Sequence, residues 1–129
     1  MSDIVEWLSA VNAALGAWLF AIPFVLPDAV PMAYGFAFWN HVLVGGAIVA
    51  LSGYDWWVAD EDRPGNALAG AATAVLGLWS IAVPYVTTIV VDGWLLWNGI
   101  IVGAIVAAIG AYNASQALAF QDLTEHAPT

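Results

Sequence analysis

Two stretches decide the fold: Ala13-Ala-Leu-Gly16-Ala-Trp18-Leu-Phe-Ala-Ile-Pro23-Phe-Val-Leu26 and Ala74-Val-Leu-Gly77-Leu-Trp79-Ser-Ile-Ala-Val-Pro84-Tyr-Val-Thr87. Laid over each other they pair Leu15 with Leu76, Gly16 with Gly77, Trp18 with Trp79, Ala21 with Ala82, Pro23 with Pro84 and Val25 with Val86. The segments that follow repeat as well. Gly35–Tyr54 over Gly93–Tyr112 pairs Trp39 with Trp97, Asn40 with Asn98, Val44 with Val102, Gly45 with Gly103, Ala50 with Ala108 and Tyr54 with Tyr112. A small shift in register between the two blocks falls in the proline-rich segment Pro27–Pro31, where insertions are tolerated. Apolar residues coincide often, but Gly, Trp, Pro and Asn in one order twice do not. The chain is a tandem repeat.

Each repeat is too apolar for water. Of 129 residues, 63% are hydrophobic, a further 12 are glycine, and only 9% are charged. A soluble domain holds about 45–50% apolar residues, glycine included, and about 25% charged ones. A small domain buries too little of its surface to hide such an excess, which excludes a soluble monomer. One basic residue, Arg63, and no lysine exclude a nucleic-acid binder. The absence of cysteine excludes disulfides and thiolate metal sites. Ten carboxylates give a formal net charge of −9. A surface so one-sided is tolerated when salt screens it, so the acidic excess points to a halophilic archaeon.

Along the chain, Asp3 and Glu6 open a helix with a capping-box-like pair in place of a basic signal-peptide region. Apolar spans are expected over about 4–26, 34–58 and 67–91, with a fourth ending near Tyr112 and an interfacial, frayed tail over 114–129. The first repeat then covers about residues 4–58 and the second about 67–113, in one membrane domain spanning 1–129. The breaks are Pro27–Pro31, the polar loop Asp60–Asn66, and a turn at Asp92-Gly93, where Asp92 reads as a helix N-cap. An even number of spans puts both termini beside the loop that carries Arg63, and the positive-inside rule sets that side in the cytoplasm. The fold class is therefore all-α, a four-transmembrane-helix bundle of two tandem helical hairpins. Because both units share one topology, their axis of symmetry lies along the membrane normal.

Gly16-Ala-Trp18 … Pro23, Trp39-Asn40 … Gly45 and the second copy, Gly77-Leu-Trp79 … Pro84, Trp97-Asn98 … Gly103, resemble the SPW-repeat family of small integral membrane proteins. The resemblance covers about residues 12–113. The namesake Ser-Pro-Trp reads Ile22-Pro23-Phe24 and Val83-Pro84-Tyr85 here. The resemblance implies the hairpin architecture and no particular activity.

The repeated residues are the candidate site. Pro23 and Pro84 free the carbonyls of Leu19 and Ser80, which need partners in hydrocarbon. Asn40 and Asn98 sit at similar depth, roughly 9 Å inside the span ends. We expect each Asn amide to bond the proline-opened backbone of its own hairpin, locking it; the alternative has both lining a substrate path. Gly16, Gly77, Gly45, Gly99 and Gly103 form small-residue faces for helix packing, within the chain or between subunits. Gly46, Gly53, Gly70 and Ala74 extend these faces. Trp39, Trp94 and Trp97, with Trp7, Trp56 and Trp57 at the other end, read as aromatic belts. Trp18 and Trp79 lie mid-membrane, where each indole N–H needs a partner; they read as a packing wedge or as the wall of a lipid pocket. His41, opposite Gly99 in the repeat, has no matching ligand, and His126 lies in the tail.

No charged side chain falls mid-span, unlike in ion-coupled transporters. No nucleophile–base set or phosphate loop is present, so we expect neither enzyme activity, nor a cofactor, nor a bound metal. Three function classes fit. The chain is a structural or accessory protein of the cell membrane, self-associating or joined to another membrane protein; or a passive pore or carrier for a small neutral solute; or a binder of an isoprenoid or quinone-like lipid.

Overall fold

The computed structural model describes residues 2–26, 35–59, 65–86 and 93–125. Four helices account for nearly all of them: α1 (Ser2–Val25), α2 (Gly35–Val58), α3 (Ala67–Val86) and α4 (Gly93–Glu125). At about 1.5 Å per residue the shortest, α3, spans about 30 Å, the thickness of a bilayer's hydrocarbon core. All four are long and apolar enough to cross a membrane. No strand occurs among the described residues.

Pro23 and Pro84 lie inside α1 and α3, and each helix runs two residues further. The last helix does not end with the expected fourth span near Tyr112. Helix α4 continues to Glu125 without a break, because Ala114, Gln116, Ala117 and Leu118 favour helix and no Gly or Pro intervenes. Much of the expected tail is thus helix. The Pro27–Tyr34 break with Asp28, the loop from Asp60 to Pro64 with Arg63, residues 87–92 with Asp92, and His126 lie outside the described residues.

The helices form a ring in which each touches its two neighbours. Contact is far more extensive within the hairpins, α1 with α2 and α3 with α4, than across the seams joining them, α2 with α3 and α1 with α4. Glycine explains the difference. A Cβ on Gly45 would lie 2.7 Å from the Gly16 carbonyl oxygen, and one on Gly16 2.9 Å from that of Gly45. In the second hairpin, Cβ atoms on Gly77 and Gly103 would each lie 2.6 Å from the other's carbonyl oxygen. Gly70 and Gly110 make a third such pair, at 2.9 and 2.7 Å. Missing side chains let the backbones touch, which is how helices gain dispersion energy in lipid.

Inside the ring, Ile22, Ile48 and Val106 are fully buried among Leu19, Phe38, Val44, Leu95 and Val102. Ile48 and Val106 are repeat equivalents, so the core obeys the pseudo-symmetry. The outward surface is lipid-like: Trp7, Trp39, Trp57 and Trp97 are all well exposed.

Gly77→Ala should destabilise the bundle by about 1–3 kcal/mol, the usual range for overpacking. Gly53→Ala, whose Cβ meets nothing within 4 Å, should be neutral or slightly stabilising. Reversible unfolding in mixed micelles measures both.

Candidate functional site

The repeated tryptophans and asparagines meet, but not as expected. Trp18 on α1 donates its indole N–H to Asn98 Oδ1 on α4 at 2.9 Å. Trp79 on α3 donates to Asn40 Oδ1 on α2 at 2.8 Å. The two bonds are repeat equivalents, and each crosses from one hairpin to the other. The expectation that each Asn bonds backbone in its own hairpin is corrected. Within a hairpin the glycines bring the backbones together, leaving the longer polar side chains to span the looser seam. Leu19, whose carbonyl Pro23 frees, is buried against the core. The carbonyl freed by Pro84 lies against Gly99, where an added Cβ would be 3.3 Å from the Ser80 oxygen.

Other interhelical hydrogen bonds also run across seams. Between α1 and α4, Asn113 Nδ2 donates to Ser9 Oγ at 3.0 Å and Asn12 Nδ2 to the Val106 carbonyl at 3.2 Å, all within buried residues. Asn12 Oδ1, Asn113 Oδ1 and Gln116 Oε1 are enclosed without a partner, as is Asn98 Nδ2. Between α2 and the start of α3, Asp55 Oδ1 accepts the Asn66 N–H at 2.6 Å, and Asn66 Oδ1 accepts the Ala69 N–H at 2.9 Å. Asn66 is therefore the N-cap of α3. Gly65 holds φ at 99°, and a Cβ there would lie 2.5 Å from Asp55 Oδ1. Glycine is needed on both counts. Asp55 is 3% exposed, and its carboxylate sits at the positive end of α3.

Asp55, Asn12, Ser9, Asn113 and Asn66 did not stand out in the sequence. One signal was available: extending the second alignment by one position pairs Asp55 with Asn113, both seam-forming polar residues next to the paired tyrosines.

A cleft of about 600 Å³, counted out to its mouth, lies in the half of the bundle away from the termini. Leu19, Phe36, Ala37, Asn40, His41 and Val44 line it from α1 and α2, and Ser80, Val83, Pro84, Leu95, Leu96 and Gly99 from α3 and α4. Trp18 and Trp79, read in the sequence as a packing wedge or as a pocket wall, are not among its lining residues. His41 Nδ1 lies 3.0 Å from the Ala37 carbonyl; a carbonyl only accepts, so Nδ1 carries the proton. No group of three or more metal-ligating side chains gathers among the described residues.

Four apolar helices in two pseudo-equivalent hairpins define a small multi-pass membrane protein. The family model of the SPW repeat domain matches residues 5–113, and the chain belongs to that family. No curated protein and no solved structure matches it.

A double-mutant cycle of Trp18→Phe and Asn98→Leu should give a coupling of about 0.6 kcal/mol and at most about 1.7, the range for interhelical bonds in lipid. Asp55→Ala should cost more, about 1.5–3 kcal/mol, because it removes a charged acceptor. It should also raise hydrogen exchange at the Asn66 amide, which mass spectrometry or NMR reads directly.

Proposed function

We propose that the chain is a structural or accessory protein of the cell membrane, without catalytic activity, that works by assembling with copies of itself or with a larger membrane complex. The observation that carries this reading is the use of the repeated polar residues. Asn40 and Asn98 each commit Oδ1 to a tryptophan of the other hairpin, which ties both side chains into the seams between hairpins. A pore reading therefore has less support.

Small residues on the outside support assembly. Ala10, Ala14 and Ala17 on α1 are exposed, as are Ala104, Ala108 and Ala111 on α4. Both sets recur every three or four residues, so each is a flat strip on one helix face. In lipid such a strip favours close approach by another helix. The acidic excess and the placement of Arg63 support a halophilic source and cytoplasmic termini.

Native mass spectrometry of gently solubilised protein tests this. We expect a defined homo-oligomer or a retained partner, and Ala108→Trp should shift the population toward free monomer without unfolding it. A wild-type chain that is monomeric and partner-free across mild detergents and in lipid nanodiscs overturns the reading.

A further inference from the structure

Three of the places where the two repeats differ shape the cleft. It straddles the pseudo-symmetry axis, with Leu19 and its equivalent Ser80, Ala37 and Leu95, and His41 and Gly99 all on its walls. From the axis it extends to one side only, along Val83 and Leu96. On the equivalent side those positions are Ile22 and Phe38, larger residues that are 0% and 7% exposed and fill the core. The third departure is His41 in place of Gly99's hydrogen. Two substitutions open space and one supplies a polar group within it.

The polar chemistry is specific. The Trp79 indole occupies Asn40 Oδ1, so the amide offers its Nδ2–H donors. The Nδ1–H of His41 is committed to the Ala37 carbonyl, so the neutral ring offers a lone pair on Nε2. Both residues line the cleft, so a donor and an acceptor border one space, where a hydroxyl can accept from Asn40 and donate to His41. Apart from Phe36, the remaining wall is aliphatic or small, with Leu95, Leu96 and Val83 along the extension. Mostly apolar clefts with a few placed polar groups are typical of small-ligand sites. Aliphatic walls suit a chain better than a stacked ring.

We infer that the cleft between α2, α3 and α4 is a binding site for a long-chain aliphatic alcohol, its hydroxyl held by Asn40 and His41 and its chain lying along Val83 and Leu96. The site is independent of assembly and holds whether or not the protein forms oligomers.

Tritiated farnesol bound to the protein in lipid nanodiscs, against empty discs, is the direct test. Saturable binding is expected, with farnesyl methyl ether competing about tenfold more weakly because its oxygen has no proton to donate. His41→Leu should weaken farnesol to the level of the ether. Leu96→Phe, which copies the filled half, should abolish saturable binding of both. Gel filtration and the unfolding midpoint confirm that each variant is folded. The inference is overturned if wild-type protein shows no saturable binding, if alcohol and ether compete equally, or if folded Leu96→Phe binds as wild type does.

Discussion

Apolar side chains gain nothing by leaving lipid for a protein interior, so helices here cannot be held by the force that builds soluble cores. What is left is close backbone contact and hydrogen bonding between helices. This chain uses the two in different places. Gly16 with Gly45, Gly77 with Gly103 and Gly70 with Gly110 clamp the hairpins from within. Trp18 with Asn98, Trp79 with Asn40, Asn113 with Ser9, Asn12 with the Val106 carbonyl and Asp55 with Asn66 stitch one hairpin to the other. Stripped of the glycines the hairpins would splay. Stripped of the polar residues they would stay intact but drift apart.

That partition follows from geometry. Two backbones in contact leave no room for an Asn or Trp side chain between them, and two backbones held apart cannot gain from glycine. The seams also differ. At the seam of α1 with α4 the half nearer the termini relies on neutral amides and a serine. At the other seam the peptide connection itself runs from α2 to α3, and a carboxylate grips the first amide of the new helix. A chain already tethered there needs to fix only the angle at which α3 departs, a task suited to a strong acceptor at a helix N-terminus.

Span number, the two hairpins and four of the seam residues, Trp18, Trp79, Asn40 and Asn98, were legible in the sequence because Gly, Trp, Pro and Asn recur as a set. Their pairing was not legible. A repeat tells which positions are equivalent, and says nothing about whether a bond closes inside a unit or between units. Asn98 could reach backbone in its own hairpin or an indole in the other with the same spacing. The run of α4 past Tyr112 was hidden for another reason: apolarity marks where lipid ends, whereas helix continues until something breaks it. Asp55 was passed over because one acidic residue near a span end looks solvated; its burial depends on a turn formed by Gly65 and Asn66. The cleft is the least legible feature, since it arises where the two repeats disagree.

The crossed indole–amide bonds carry one more consequence. Each hairpin holds one donor, its tryptophan, and one acceptor, its asparagine, and neither is satisfied at home. Two identical hairpins side by side would satisfy each other twice, which is the pattern of an isologous dimer. Joining them in one polypeptide makes the second encounter intramolecular, so pairing no longer depends on how many copies the membrane contains. It also lifts a restriction that a true dimer must obey, that whatever lines one half lines the other. Only after fusion can a histidine stand where the opposite half keeps a glycine.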